Sequence, residues 1–503
     1  MPPRDVGDPV AARRTAWIAL GVIALGAVAI RMAMAVALPN TVWPDENFQS
    51  LEQAHRLVFG QGVVPWEFRD GTRSWLLPGA LAAAMSLGRI GGGLWSLRAA
   101  QLLLVLVSLA PIAVAFAAAL RARGLAEGVV AGGAAALWYE LILFAPKGLS
   151  EVVAAHLLLL GLYLEATART GRRRLLAGAL VGAAIALRIH LAPAVLLALA
   201  LTCRADLRRW RTVLAGLGAS VVVAGLVDLA TWGRPFQSVV AAIRVNVVQG
   251  KAAQYGTAPW SGYLEAIWAT WSWATLVVVP LAVLGARRYP ALAACALGVL
   301  ATHTVFAHKE LRFVYPAIAL AIVLAAIGAA EAVSWARARL RVHPAGLAAA
   351  ALVVWGAVSL ARAASYETTG IDPVDETPFS RWSHAAWGLE SMQLAGTKPD
   401  LCGVGLFVQN WEWTGGYTYL HRDVPIFLIE TRQDGVDTAG GYNAVIAPAE
   451  FMRNLRGFEV RRCWPAGHLQ DYVHGDICYG ERPGGCAPVR GQQINDRLRS
   501  IGA

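Results

Sequence analysis

The sequence predicts a polytopic α-helical membrane protein that carries a small α/β domain at its C-terminus. Of its 503 residues, 56% are hydrophobic and only 15% are charged. Apolar stretches of roughly 20 residues, the length that crosses a bilayer core, recur from Thr15 to about Ala361. Arginines cluster in alternate short loops between them, which is typical of cytoplasmic loops. These observations exclude an ordinary soluble protein, and they assign the formal charge of +11 to membrane topology rather than to nucleic-acid binding.

The first elements are a short basic N-terminus, residues 1–14, and an apolar run over 15–38. The arginine pattern places the N-terminus in the cytoplasm. The run ends in Ala35-Val36-Ala37, which looks like a signal-peptidase site, but its apolar core is longer than that of a signal peptide and more spans follow. We therefore expect an uncleaved first helix.

Further spans follow, which brings the predicted total to about 11 and places the C-terminus outside. The short pieces 174–189 and 191–203 are either two spans or one broken, re-entrant pair. We expect a transmembrane domain over 15–363 with a catalytic outer loop at 39–94, followed by an extracytoplasmic domain over 364–503. The remaining spans are predicted at 97–120, 126–145, 149–168, 212–231, 265–284, 290–306, 313–333 and 345–363.

Two outer segments, from Pro39 to about Leu94 and from Trp232 to about Tyr263, are too long to be simple connectors. They contain aromatic residues and spaced apolar residues rather than low-complexity sequence, so we expect them to be ordered.

The C-terminal tail changes character, because Pro, Gly, Asp and Trp become more frequent. Strand-like runs at 404–409, 424–429 and 444–447 predict a small α/β domain. Four of the six cysteines lie in this tail, and on an oxidising face they predict disulfides with three possible pairings. A zinc site is the alternative, although no Cys-x-x-Cys spacing supports it. The four are Cys402, Cys463, Cys478 and Cys486.

The densest polar sequence lies in the first outer loop, over 43–62 and 66–78. From Asp45 onward it has the pattern of an amphipathic helix that ends at Gly60 and Gly62. This predicts a helix lying on the outer membrane surface with its apolar side in the lipid interface. The apolar face comprises Phe48, Leu51, Ala54 and Val58, and the polar face comprises Asp45, Gln49, Glu52 and Arg56.

Asp45 and Glu46 stand at the start of this helix. Asp45 is either an N-cap carboxylate, which is common at a helix start, or a general base.

A second cluster comprises His308, Lys309, Glu310 and Arg312, between two apolar spans at their predicted outer ends. These residues are either membrane-boundary cations paired with one glutamate or a functional group. Both clusters fall on the same predicted side of the membrane. A carboxylate beside compact positive charge suits displacement at a sugar–phosphate bond, because the base takes the acceptor proton and the cations stabilise the departing phosphate.

Other polar residues leave two interpretations open. Lys147 with Glu151, and Arg188 with His190, are either structural pairs or the lining of a lipid-phosphate groove. The 411–413 segment, Trp-Glu-Trp, either stacks on a sugar or fills a domain core. The sequence has no Asp-x-Asp pair, no Gly-rich phosphate loop and no Cys/His metal spacing, so neither a metal nor another cofactor is expected.

The two clusters resemble the signatures of glycosyltransferase family 22, the Alg9-like mannosyltransferases of N-glycan precursor and GPI-anchor assembly. The second signature of that family, H-K-E-x-R-F, is similar to residues 308–313, which are followed by Tyr315-Pro316. The resemblance covers residues 15 to about 330. The first signature is similar to Pro44-Asp45-Glu46, Glu52, His55, Gly60, Gly62, Trp66-Glu67-Phe68 and Arg73-Ser74.

This resemblance implies a GT-C fold and inverting transfer of a sugar, usually mannose, from a polyprenyl-phosphate donor to a glycolipid or glycan acceptor, without a metal. It makes Asp45 the catalytic base, with Glu46 supporting it or sharing the role. It makes Lys309 and Arg312 the cations that neutralise the lipid phosphate. His308 and Glu310 would orient that phosphate. It also places Glu52, His55, Trp66, Glu67 and Arg73 at the substrate, Arg73 reaching the same phosphate.

The chain is rich in Ala, Gly and Arg and poor in Lys, which favours a bacterial or archaeal cell membrane as its location. Two other classes of function compete with the transferase. A polytopic lipid or sugar transporter would use the same charges to guide a substrate, but the sequence shows no convincing internal repeat. A glycan receptor would not need eleven helices as an anchor.

Overall fold

The computed structural model describes residues 9–340, 342–367, 369, 371, 380–408, 411–465 and 475–502. Most of the predicted cytoplasmic N-terminus, residues 1–8, lies outside the described residues. So does Gln409 at the end of the first predicted strand.

The membrane part is built from eighteen α-helices among the described residues. They are α1 (Pro9–Ala37), α2 (Glu52–Phe59), α3 (Trp66–Arg69), α4 (Leu76–Gly88), α5 (Gly93–Val107), α6 (Ala110–Arg123), α7 (Leu125–Leu137), α8 (Tyr139–Leu143), α9 (Ser150–Ala166), α10 (Gly171–Leu187), α11 (Ala192–Cys203), α12 (Leu207–Trp232), α13 (Gln237–Ala242), α14 (Gly262–Trp271), α15 (Thr275–Ala286), α16 (Pro290–Thr304), α17 (Tyr315–Leu340) and α18 (Pro344–Ala364).

Helices occur at all eleven predicted spans, although three of the spans are broken. The span at 97–120 is α5 and α6, the span at 126–145 is mainly α7 and α8, and the span at 265–284 is α14 and α15. The pieces at 174–189 and 191–203 form separate helices, α10 and α11, joined by a 3₁₀ turn at Ile189–Leu191. Within the described ranges, six helical stretches are long and apolar enough to cross a membrane by length and composition.

Helix α17 is the centre of the helical core. It packs against α6, α7, α9, α15 and α16, and residues from Tyr315 to Ile327 are almost all buried. Its closest approach is to α15, where a Cβ on Gly328 would lie 1.9 Å from the carbonyl oxygen of Leu281. Only a glycine allows the two backbones to come this close, a common device between membrane helices.

The predicted interfacial helix is present, but its predicted place in the lipid interface is wrong. A π-helical turn at Asn47–Leu51 continues into α2, and Gly60 ends it in the left-handed conformation at φ 86°. Both faces are covered by protein, because Phe48 and Leu51 enter apolar cores while Glu52 and His55 are also buried. On the polar face, Glu52 accepts hydrogen bonds from the C-terminal domain. Asp45 bonds instead to Arg312, and Gln49 bonds to Glu67. Helix α4, which packs against α2, was not predicted.

The C-terminal part is a small α/β domain, as predicted. Its described strands form a mixed five-stranded sheet in the order β2-β1-β3-β5-β4, with β1 parallel to β2 and β3, and β5 antiparallel to β3 and β4. The hairpin of β4 and β5 was not predicted. The strands are β1 (Val404–Leu406), β2 (Ile426–Leu428), β3 (Ala444–Pro448), β4 (Glu459–Pro465) and β5 (Asp476–Glu481), and the helices are α19 (Ala386–Gly396), α20 (Gly416–Leu420), α21 (Arg432–Asp437), α22 (Ala449–Met452) and α23 (Ile494–Ile501).

The predicted disulfides are confirmed and their pairing is now defined. Cys402 pairs with Cys486, and Cys463 pairs with Cys478 across the β4–β5 hairpin. The first bridge closes a long loop of the domain, whose open chain would otherwise have high conformational freedom.

Candidate active site

A cavity of about 500 Å³ lies between the first outer loop, the ends of the membrane helices and the C-terminal domain. It combines ionised groups with aromatic walls, which is the usual character of a ligand site. Its ionisable lining side chains are Asp45, Glu67, Arg73, Glu151, Arg188, His190, His303, His308, Glu310, Arg312 and Glu412, and its aromatic lining includes Trp43, Trp66, Tyr255, Tyr263, Trp411 and Trp413.

The two predicted clusters meet in this cavity. Arg312 lies in a 3₁₀ turn, Leu311–Val314, that leads into α17, and its Nη1 donates a hydrogen bond to Oδ2 of Asp45. Its Nε donates to Oε2 of Glu310, and its Nη1 lies 3.9 Å from Oε1 of Glu151. One buried guanidinium therefore joins carboxylates from three separate parts of the chain. Asp45 forms ion pairs here and, among the described residues, does not cap the helix that it begins.

Two further arginines face the cavity with unused donors. Arg188 forms an ion pair with Glu151, whereas Nη2 of Arg73 lies 3.9 Å from Oδ2 of Asp45. The Nε atoms of both arginines are buried and have no hydrogen-bond partner in the described parts of the chain. A buried donor without a partner costs free energy, so the described residues do not fully satisfy these two guanidinium groups. The possible lipid-phosphate groove around Arg188 and His190 is thus part of the same cavity.

Glu67 lies near Asp45 in the cavity lining. Its Oε1 accepts a hydrogen bond of 2.8 Å from Nε2 of Gln49, and the side chain is buried. Burial, together with the neighbouring Asp45 carboxylate, raises the pKa of Glu67. The raised pKa disfavours the ionised form of Glu67.

His308 is held between two hydrogen-bond acceptors. Nδ1 lies 2.9 Å from the carbonyl oxygen of Gly256, and Nε2 lies 3.0 Å from Oε1 of Glu310. Satisfying both acceptors requires a proton on each ring nitrogen, which is the imidazolium form. Burial lowers the pKa of His308, but the hydrogen bond to Glu310 and the bond to Gly256 outweigh it, so the net pKa is raised. His308 thus adds positive charge beside Arg312.

Glu46 and Lys309 do not line the cavity. Glu46 is buried with Lys147 at an N–O distance of 3.1 Å, and it also accepts a hydrogen bond from the backbone N–H of Val42. Lys309 donates to the carbonyl oxygens of Phe306 and Ala258. Both side chains thus bond to loops outside the lining, while catalysis by Glu46 and phosphate binding by Lys309 stay predictions.

Glu52 and His55 also lie outside the cavity lining, so their predicted substrate contacts stay predictions. The Glu52 carboxylate accepts hydrogen bonds from the backbone N–H groups of Val63, Tyr417 and Thr418 and from the Thr418 hydroxyl. His55 bonds to His421 at 3.0 Å. These residues fasten the first loop to α20 of the C-terminal domain.

Trp66 and Glu67 keep their predicted place at the site. The ammonium of Lys251 lies 3.5 Å from the centroid of the Trp66 ring. Tyr255 and His303 carry no local sign of a cavity position, because Tyr255 is one of several aromatic residues in a long loop and His303 lies on an apolar span. Among the described residues, no three His, Cys, Asp or Glu side chains are grouped as metal ligands.

The profile of the Alg9-like mannosyltransferase family matches residues 23–374. A GPI mannosyltransferase 3 from Yarrowia lipolytica is 27% identical over 428 residues, which are 80% of this chain and 75% of the relative. The mannosyltransferase APTG1 from Arabidopsis thaliana is 40% identical over 70 residues, 14% of this chain and 13% of that protein. These relatives are eukaryotic, so they do not support the bacterial or archaeal origin expected from composition.

The fold is similar to that of ArnT from Cupriavidus metallidurans, a GT-C membrane glycosyltransferase. Its crystal structure in the apo state gives a TM-score of 0.55 at 14% identity, covering 93% of this chain and 98% of ArnT. The crystal structure of ArnT bound to undecaprenyl phosphate gives 0.56 at 14% identity, covering 94% and 99%. The likeness in structure shows the GT-C fold.

Proposed function

This chain belongs to the Alg9-like mannosyltransferase family, and on that premise we propose that it transfers mannose from a polyprenyl-phosphate donor to a lipid-linked or polymer glycan acceptor. The transfer inverts the anomeric configuration and takes place on the outer face of the membrane. The N-terminus is then cytoplasmic, and the loop 39–94 and the C-terminal domain are extracytoplasmic, because the arginine-rich loops lie on the opposite side.

The observation that carries this proposal is the group of three arginines, Arg73, Arg188 and Arg312, that lines one cavity together with Asp45. Guanidinium groups suit phosphate because they present several donors in one plane. A phosphodiester bound in this cavity would meet these guanidinium groups beside the proposed base, to which Arg312 donates a hydrogen bond.

The comparisons support the donor and the sugar without defining them for this chain. The relatives are mannosyltransferases, and the structure of similar fold was crystallised with undecaprenyl phosphate. A polyprenyl phosphate is therefore the donor lipid class that best fits both the fold and the arginines.

In the proposed reaction, the Asp45 carboxylate accepts the proton of the acceptor hydroxyl. The hydroxyl oxygen attacks the anomeric carbon from the side opposite the phosphate, so the new glycosidic bond forms as the bond between sugar and phosphate breaks. The phosphate leaves with the bonding electron pair, and Arg73, Arg188 and Arg312 stabilise its charge.

The test compares Asp45→Asn with wild type at equal expression, using labelled mannose on a synthetic polyprenyl phosphate. We expect transfer to endogenous lipids to fall by at least about 100-fold, which is typical for loss of a general base. Asp70→Asn is the matched control, since Asp70 lies in the same loop, is exposed and does not line the cavity. Undiminished transfer by Asp45→Asn would remove Asp45 from the mechanism, and no transfer by wild type would return the transporter to consideration.

A further inference from the structure

The C-terminal domain contributes one wall of the cavity through a 3₁₀ turn at Trp411–Trp413. The two tryptophans of this turn are largely buried and pack into the core of the domain, whereas Glu412 between them is partly exposed. The interpretation that the segment fills a domain core therefore holds for the two tryptophans, and the Glu412 side chain lines the cavity. Stacking on a sugar stays a prediction.

The turn is held firmly in place by contacts on both sides. Trp411 packs edge-on against Phe48 of the first loop at 5.0 Å, and Trp413 packs edge-on against His384 at 4.5 Å. A Cβ on Gly388 would lie 2.1 Å from the carbonyl oxygen of Trp413, so α19 lies directly against the turn. Glu412 is consequently presented to the cavity by a rigid element, as a specificity residue requires.

Glu412 has an unused hydrogen-bonding capacity. Apart from its own backbone N–H, the carboxylate has no hydrogen-bond or ion-pair partner in the part of the chain that the structure describes. Burial raises the pKa of Glu412 to about 7, with a further contribution from Glu430. Near neutral pH such a carboxyl group can both accept and donate hydrogen bonds, which matches the hydroxyl groups of a sugar.

The lining of the cavity contains both cationic and carboxyl groups. Arg73 and Arg188 are the cations proposed for the phosphate, whereas Glu67 and Glu412 contribute carboxyl groups. Tyr255 also lines the cavity, and burial followed by the charges of Glu67, Asp45 and Glu412 raises its pKa. Trp66 adds an aromatic ring to the lining, and the ammonium of Lys251 lies over that ring. Aromatic rings with a carboxyl group in the same cavity suit a sugar ring.

We propose that the turn Trp411–Trp413 forms the subsite for the acceptor sugar together with Trp66 and Tyr255, and that Glu412 binds hydroxyl groups of that sugar. The inference rests on the proposed function, because it assumes a sugar acceptor. It assigns acceptor recognition to the C-terminal domain and donor-phosphate recognition to the arginines of the membrane part.

The test measures initial rates of mannose transfer for Glu412→Gln in two series. In the first, the acceptor, a glycolipid extract of the source membranes, is titrated at saturating polyprenyl-phosphomannose. In the second, the donor polyprenyl-phosphomannose is titrated at saturating extract. We expect the KM for the extract to rise about tenfold or more, because hydrogen bonds to a charged group are lost, while the KM for the donor stays within about twofold. Glu450→Gln, on α22 of the same domain and away from the cavity, is the matched control and should change neither value.

Glu412→Asp provides a second variant that keeps the carboxylate and should raise the acceptor KM less than Glu412→Gln. If Glu412→Gln does not fold, Glu412→Asp decides the test. A wild-type acceptor KM for Glu412→Asp would then overturn the inference. An acceptor KM within twofold of wild type for Glu412→Gln, or an equal rise in both KM values, would overturn it while leaving the proposed function intact. Absence of transfer by wild type would overturn the proposed function first.

Discussion

Three arginines surround Asp45, and they differ in how many of their donors are already in use. Arg312 bonds to Asp45 and Glu310, and Arg188 bonds to Glu151. Arg73 has only a contact of 3.9 Å with Asp45, and its Nε is buried without a partner among the described residues. Arg73 is thus the cation with the most capacity left for a phosphate ligand.

At the residue scale we therefore predict a selective effect of Arg73→Gln. Loss of a charge-assisted bond to the donor phosphate should raise the KM for polyprenyl-phosphomannose about tenfold or more and leave the acceptor KM unchanged. Initial rates with each substrate titrated separately provide the measurement. Arg234→Gln removes the same charge at an exposed position that does not line the cavity, and it is the control. A donor KM equal to that of wild type would exclude Arg73 as the phosphate ligand.

At the scale of elements, the first outer loop and the C-terminal domain are joined by one buried carboxylate. Glu52 of α2 accepts the backbone N–H groups of Tyr417 and Thr418 at 2.9 and 2.8 Å, and the Val63 N–H at 2.8 Å. These donors lie at the start of α20 and in the loop that leads to Trp66. These hydrogen bonds of Glu52, here called the Glu52 clamp, therefore set the distance between the cavity wall formed by the first outer loop and the wall formed by the C-terminal domain.

Glu52→Gln should weaken this junction. A glutamine has one acceptor oxygen, and its amide NH₂ would face backbone N–H donors, so we expect the stability to fall by roughly 1–3 kcal/mol. The midpoint of thermal unfolding in detergent and the rate of proteolytic release of the C-terminal domain measure the effect. Glu265→Gln, an exposed site on α14, is the control. Unchanged values for both measurements would show that the clamp does not hold the domain.

The predicted spans were found from hydropathy because each one is a long apolar run, which the sequence displays directly. The hairpin of β4 and β5 was not, because β4 is exposed at almost every position and shows no alternation of apolar residues. The wrong prediction that α2 lies in the lipid interface has a different cause. Its amphipathic pattern is real, but a polar face that bonds to another domain has the same sequence as a polar face that meets water.

At the scale of the whole molecule, a pair of neutral histidines lies where the membrane part meets the C-terminal domain. Nδ1 of His55 donates to the carbonyl oxygen of Gln61, and its Nε2 faces Nδ1 of His421 at 3.0 Å. A Cβ on Gly93 would lie 1.3 Å from the His421 ring, so α5 packs directly against this pair. Burial lowers the pKa of His55 to about 4, and burial followed by the charge of His55 lowers that of His421 to about 4.

This pair predicts a loss of stability in acid. Between pH 6.5, the ordinary value for histidine, and about 4, the unfolded chain binds more protons than the folded chain. The stabilisation is therefore complete above pH 6.5 and is lost as the pH falls toward 4. We expect the midpoint of thermal unfolding of wild type to fall across this range.

His421→Asn tests the origin of that pH dependence. Asparagine tolerates the left-handed backbone of this position, at φ 54°, and it does not titrate. The variant should show a smaller fall in unfolding midpoint between pH 6.5 and 4 than wild type does. His343→Asn, at an exposed position far along the chain, is the control and should keep the full pH dependence. Equal slopes for wild type and His421→Asn would assign the acid sensitivity to other groups.

The sequence by itself determined the membrane class, the positions of the spans, the small α/β domain, the disulfide-forming cysteines and the two polar clusters, because composition, periodicity and short motifs are local properties of the chain. Tertiary structure alone decided that Arg312 meets Asp45 across 267 residues, that Glu46, Glu52, His55 and Lys309 stand behind the cavity, and that Glu412 faces into it. The physical reason is that a polar side chain carries the same local signal whether it meets a substrate, another domain or water. Its partner is chosen only when distant segments pack together.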